Sequence, residues 1–193
     1  MKFSGRFGAD ALRFVATPEG RARNFRGLFM RVDEVEIVEA DLGRTDHQQA
    51  VLDLTDAYAR DPMGSDAPLP ADIRERLIDG LRAHPTTVIL LAYVGGEPAG
   101  IATCFIGFST FSARPLLNVH DLAVVPQHRG RHVGVELLAA VERKARDLGC
   151  TKLTLEVGDA NAKAKALYQK VGFSQPSSHG AGELIFYMKD IVP

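Results

Sequence analysis

The sequence predicts one mixed α/β (α+β) layer structure. Three observations carry that reading. Two helix-like stretches come first, two β-rich runs then meet at Gly95-Gly96-Glu97, and a strand, turn and helix pattern follows twice in succession. In chain order, Val35 to Val38 reads as a strand and Asp46 to Tyr58 as a helix. Pro62, Pro68 and Pro70 mark a loop, and Asp72 to Ala83 reads as a second helix with an acidic start. Thr87 to Val94 and Pro98 to Phe108 share a hairpin signal. A loop from Ser109 to Pro115 leads into the apolar strand LLNVHDLAVV, the turn PQHRGRHVG and the helix VELLAAVERKARDLG. Leu137, Leu138, Val141, Ala145 and Leu148 form the apolar side of that helix, and Gly149 stops it. Lys152 to Val157 is a short strand, Asn161 is the N-cap of a further helix, and Gly172-Phe173 ends it. Two closing strands are expected near Phe173 and from Glu183 to Lys189.

A chain of 193 residues, 46% hydrophobic and 24% charged, is long enough for one domain with a full core. Cys104 and Cys150 show neither metal spacing nor a disulfide framework and read as free thiols. The apolar run from Val88 to Val94 is too short to cross a bilayer, and the N-terminus lacks the hydrophobic core of a signal peptide. A membrane role is therefore not expected, and the expected setting is cytoplasmic. Charge is unevenly placed along the chain. Residues 1–31 hold seven Arg or Lys against two acids, whereas residues 32–79 hold thirteen acids against four Arg. The first segment reads as a basic N-terminal extension ahead of a domain spanning 32–193. It lacks interleaved base-stacking aromatics and any reading module, so nucleic acid is not an expected partner.

The join between the strand ending at Val125 and the helix after Gly134 has the chemistry of a phosphate cradle. Glycines let the main chain approach a bound group, and the first N–H groups of the helix point at it with a favourable dipole. A pyrophosphate is the expected guest. The segment TKLTLEVGDANAKAKALYQKVGF then places Asn161 and Tyr168 two turns apart on nearly the same helix face.

Together these segments resemble the GNAT superfamily of acetyl-CoA-dependent N-acetyltransferases. The family's turn motif falls on Arg129, His132 and Gly134. The Leu122-Ala123-Val124 strand end, Pro126, the Arg129-Gly130 pair, Leu137-Leu138, Glu156, Asn161, Leu167-Tyr168 and Gly172-Phe173 follow in family order and spacing. His132 stands where the family has glycine. A Cβ is compatible with the first turn of a helix, so this residue is expected to fit with its ring outward. The resemblance is specific over residues 117–173 and topological elsewhere. It implies a central mixed, mostly antiparallel sheet flanked by helices, acetyl-CoA as cosubstrate without a metal, and an amine acceptor on a small molecule or a peptide N-terminus. Homodimerisation stays open.

Moving an acetyl group to an amine requires a neutral nitrogen, a stabilised oxyanion and a proton for the departing thiolate. By the resemblance, Leu122, Ala123 and Val124 hold the pantetheine arm through main-chain hydrogen bonds. Arg129, Gly130, Arg131, His132, Val133, Gly134 and Val135 hold the pyrophosphate, and Asn161 also faces the cofactor. Tyr168 is the candidate general acid. Glu156 is the first candidate base, because strand alternation turns it away from Leu153, Leu155 and Val157, and the ribosomal-protein N-terminal acetyltransferases place their proposed base at the same spacing before this asparagine. His120 is the second, at a position where related polyamine acetyltransferases carry an acid. Asp121 is expected on the face opposite His120, in a structural or substrate-orienting role. Acids on the first two helices are either a solvated surface or a collector of cationic amine. Lys163 and Lys165 are either solvated or in reach of an outer phosphate. Two other classes remain: a non-catalytic acyl-CoA-binding module, and a nucleotide phosphotransferase, which lacks GxxxxGK[ST] and paired metal-binding acids.

Overall fold

The computed structural model describes residues 34–174. The expected basic extension and the closing strand from Glu183 to Lys189 lie outside them, and Phe173 itself is not in a strand. The sheet order is β1 (Val35–Glu39), β2 (Thr87–Val94), β3 (Glu97–Ser109), β4 (Arg114–Val124) and β5 (Leu153–Leu155). The first three pairings are antiparallel, and β4 with β5 is parallel. This is the expected mixed, mostly antiparallel sheet. Gly95 and Gly96, at φ 60° and 87°, form the two-residue turn between β2 and β3.

Helices cover both faces of the sheet. On one side α1 (Thr45–Ala59) and α2 (Ala71–Ala83) pack Val51, Leu54 and Ile78 against Ile89, Leu91 and Ile101. On the other, α3 (Val133–Asp147) packs Val133, Leu137, Val141 and Ala145 against Leu90, Ala102, Leu117 and Val119. The alternation of β2 through β4 sends successive side chains to these two cores, which is why the strands read as nearly continuous apolar runs. The last helix, α4 (Ala162–Lys170), begins as expected: Asn161 Oδ1 accepts the Ala164 N–H at 3.1 Å. Among the described residues no helix is long and apolar enough to cross a membrane.

Two boundaries differ from the sequence expectation. β4 starts at Arg114, so the loop before it is shorter than Ser109 to Pro115. β5 is only Leu153–Leu155, because its pairing with β4 stops at Val119 opposite Leu155.

Candidate functional site

β4 carries a β-bulge that organises the site. Cys104 on β3 lies opposite Val119, yet its neighbour Thr103 lies opposite Asp121, so His120 is an extra residue. Before the bulge Leu117 and Val119 face α3; after it Leu122 and Val124 do, while Ala123 faces α1. The bulge also overturns the expectation that His120 and Asp121 point to opposite faces. The His120 ring meets Phe105, at 5.5 Å between centroids, and Asp121 sits opposite Thr103, which shares the face of Phe105. Simple alternation fails at a bulge because two residues oppose one.

The polar groups of β4 change phase as well. Leu117 N–H donates across to Lys152 O at 3.0 Å, whereas Val125 N–H donates back to Ala99 O on the β3 side at 3.0 Å. By alternation, Leu122 and Val124 turn their N–H and C=O groups toward the gap where β5 has ended, and Ala123 turns its own toward β3. Of the three residues expected to hold a pantetheine arm, Leu122 and Val124 therefore present main-chain groups to the opening. Ala123 does not.

Past β4 the chain makes a 3-10 turn, Pro126–His128, and enters the cradle. Gly130 has φ 75° and His132 has φ 63°, ψ 3°. His132 is the N-cap of α3 in the left-handed region, and so lies outside the first helical turn that sequence reasoning assigned it. Histidine is among the residues that enter this region more readily than most, so it takes up a backbone conformation for which glycine is the usual choice. The first main-chain bond of α3 runs from Glu136 N–H to His132 O at 3.0 Å. The N–H groups of Val133, Gly134 and Val135 precede it, at a helix end whose dipole favours an anion. Val133 buries its side chain in the core, whereas Arg131 and His132 are exposed. Gly134 is required for another reason: a Cβ there would lie 3.1 Å from Leu167 Cδ2 and 3.8 Å from Val124 Cγ2. Its smallness lets α4 approach α3. The Arg129 guanidinium donates from Nε to Val124 O at 2.8 Å and from Nη2 to Asp61 Oδ2 at 2.6 Å.

Tyr168 is half-buried at the last turn of α4. The Gly172-Phe173 exit holds it. Gly172, at φ 95°, donates to Gln169 O at 3.2 Å, and Phe173 N–H reaches back to Tyr168 O at 2.9 Å. This helix ending brings the Phe173 ring to 5.8 Å from that of Tyr168. Burial raises the Tyr168 phenol above its ordinary pKa, with a further push from neighbouring Tyr58. Tyr58, at the end of α1, is raised by burial and then by Asp121 and Asp61. Burial likewise raises the Asp121 carboxyl, opposed by His120. Asp121 thus adds to the rise of the Tyr58 phenol and Tyr58 to that of Tyr168, from three different elements. Sequence reasoning did not single out Tyr58 and gave Asp121 a minor role; the signal for Asp121 is the bulge, which only the register reveals, and that for Tyr58 is tertiary burial.

Glu156 follows the end of β5 and is exposed, outside that cluster. Asn161 commits Oδ1 to its cap, which leaves Nδ2 to serve a ligand. Lys165 pairs with Asp159. The acids of the first two helices are largely engaged by arginines: Asp46 with Arg44, Asp53 with Arg74, Asp56 with Arg60, Asp72 with Arg76 and Asp79 with Arg82, all within 2.9 Å. That pattern fits a solvated surface better than an amine collector. Cys104 is fully buried, and burial pushes its thiol up to about 12, which makes it inert at neutral pH.

The site thus combines a strand edge left open beyond β5, a helix N-terminus and half-buried phenols near a carboxyl raised by burial. The Acetyltransferase (GNAT) family matches residues 51–173, and the chain belongs to that family of acyltransferases. It is 30% identical to a streptothricin acetyltransferase of Streptomyces lavendulae over 168 residues, 83% of this chain and 86% of that protein. It is 33% identical to a thialysine N-epsilon-acetyltransferase of Sus scrofa over 104 residues, 49% of this chain and 59% of that protein. The N-acetyltransferase YhfO of Bacillus subtilis (strain 168) is 35% identical over 46% of this chain and 60% of that protein, so the chain spans about three fifths of these last two relatives. In fold it is similar to the aminoglycoside N-acetyltransferase AAC(6')-Iy in complex with CoA, with a TM-score of 0.63 and 20% identity over 81% of this chain and 95% of that one.

Proposed function

We propose that the protein transfers an acetyl group from acetyl-CoA directly to a primary amine within a ternary complex. The observation that carries this reading is the open β4 edge: beyond the end of β5, Leu122 and Val124 lie between Asp121 at the bulge and the turn that enters the N-terminus of α3. One extended ligand laid along that edge meets an anion site at one end and acid–base groups at the other. The N–H groups of Gly130 to Val135 hold the pyrophosphate, Leu122 and Val124 align the arm, and Asn161 Nδ2 adds a donor. When bound, acetyl-CoA supplies the activated acyl group.

Asp121 is the base in this proposal. An alkylammonium has a pKa of roughly 10, and a carboxyl raised by burial accepts its proton more readily than an ordinary one. His120, beside it on the bulge, helps orient the amine. Tyr168 keeps its proton to high pH and gives it to the departing thiolate sulfur. The N–H groups of Leu122 and Val124 face the region where negative charge develops. The streptothricin relative, which aligns over most of the chain, supports an amino-bearing small molecule as acceptor ahead of a peptide N-terminus. Because His132 keeps the backbone of a glycine, its departure from the family motif lends no weight to a non-catalytic module.

Thiol release from acetyl-CoA against a panel of small amines, an aminoglycoside and peptide N-termini tests the activity. Turnover with a small amine is expected, and the absence of turnover with the whole panel overturns it. Calorimetry with CoA and with dephosphorylated pantetheine tests the cradle separately: CoA should bind more tightly, and equal affinity removes the pyrophosphate assignment.

A further inference from the structure

The two side-chain bonds of Arg129 belong to different halves of the site. Nε is 2.8 Å from Val124 O, on the β4 edge that faces the opening. Nη2 is 2.6 Å from Asp61 Oδ2, in the loop that follows α1. Asp61 organises that loop: its Oδ1 accepts Met63 N–H at 2.8 Å, and its main-chain O accepts Gly64 N–H at 2.8 Å. Gly64 lies so close to the end of α1 that a Cβ would come within 2.2 Å of Tyr58 O. Moving this loop therefore disturbs the residue that neighbours both Asp121 and Tyr168.

The pair is poised to respond to a ligand. The Asp61 side chain is 14% exposed, whereas that of Arg129, the first residue of the cradle, is 51% exposed. Covering Arg129 removes water from an existing ion pair and lowers the local dielectric, which strengthens the attraction. The Met63 N–H and then the Arg129 guanidinium hold the Asp61 carboxyl below its ordinary pKa, so the pair stays charged at neutral pH.

Resting on the acetyl-CoA reading above, we propose that Arg129 is a positioning residue that couples occupancy of the cradle to the order of the loop at residues 61–66, and through it to the placement of Tyr58. It acts through Asp61 and Val124 and touches no reacting atom. A purely structural arginine would hold the loop equally with and without ligand. A coupling arginine makes loop order depend on the ligand.

Hydrogen exchange of the Met63 and Gly64 amides, measured on the full chain with and without saturating CoA, distinguishes the two. CoA should slow their exchange by about fivefold or more in the wild type, the lower range of typical coupling between sites. In Arg129→Lys, which keeps the charge but loses the fork, and in Asp61→Asn, the slowing should fall below about twofold. The double variant should weaken CoA binding no more than the worse single variant, since both interrupt one link. If CoA binds by calorimetry but the slowing is missing, or is the same in wild type and variants, the coupling is overturned while the acetyl-CoA reading stands. If CoA does not bind at all, both fall.

Discussion

The proposed cradle and the proposed acid–base cluster are built in opposite ways. The cradle is a continuous stretch, Arg129 to Val135, whose chemistry resides in main-chain N–H groups and in two positive φ angles. The cluster is made of side chains from the end of α1, the bulge of β4 and the last turn of α4, and its chemistry resides in burial. A main-chain site accepts a foreign side chain wherever the backbone conformation is still reachable, as His132 shows. A side-chain cluster has no such freedom, because each member is itself the functional group and its pKa is set first by how deeply it is buried.

The sharpest break in this comparison is Asp121→Asn. Turnover should fall about 1,000-fold, within the range for a general base, with CoA affinity nearly unchanged. The same substitution should stabilise the fold. Because burial raises the Asp121 pKa above 3.8, the folded state holds this proton to higher pH than the unfolded state. The resulting stability is present below the unfolded value and is lost as pH rises through the folded one. Thermal unfolding should therefore show the asparagine variant gaining on wild type between pH 4 and pH 7. Glu156→Gln should stay within about threefold of wild-type turnover, the lower bound of a useful base contribution being far larger. The opposite ordering of these two variants would return the base to Glu156.

Next in size is Tyr168→Phe. Turnover should drop about 100-fold while CoA affinity holds, since only the proton donor is removed. An unchanged rate where chemistry is limiting would make Tyr168 a packing residue against Phe173.

Gly134→Val tests the cradle from its packing side. With Leu167 Cδ2 only 3.1 Å from the added Cβ, α4 must shift, and stability should fall by about 2 kcal/mol. Gly134→Ala should be close to neutral, because the tip of Leu167 can yield and alanine gains up to about 1 kcal/mol of helix propensity. Denaturant unfolding of both variants measures the difference.

The smallest effect is expected at His132. Replacing a non-glycine residue at φ 63° with glycine should stabilise the protein by about 1 kcal/mol, with CoA affinity changed less than about threefold, since the backbone is already in the required conformation. A tenfold gain in affinity at both pH 6 and pH 8 would mean instead that the imidazole intrudes on the phosphate, and the tolerance argued for main-chain sites would fail.

Much of this architecture is legible without coordinates, and what is legible is local. The hairpin at Gly95-Gly96, the Asn161 cap, the Gly149 stop and the order of strand, cradle and helix all depend on residues a few positions apart. Their conformational preferences do not wait for the rest of the chain. The Gly172-Phe173 exit belongs here too, since one helix ending both stops α4 and sets a ring against Tyr168.

What tertiary structure alone decided is the pairing. The extra residue at His120 is a property of β4 against β3, and no period in HDLAV announces it; yet it turns Asp121 to the side of His120, the Leu122 side chain to the α3 core and the Leu122 main-chain groups to the opening. The early end of β5 left Glu156 exposed. The bond from Arg129 to Asp61 joins residues 68 positions apart, and the nearness of Tyr58 to Tyr168 spans α1 to α4. Such contacts arise only after two cores have closed on one sheet, so their energies and pKa shifts depend on burial that a linear sequence does not contain.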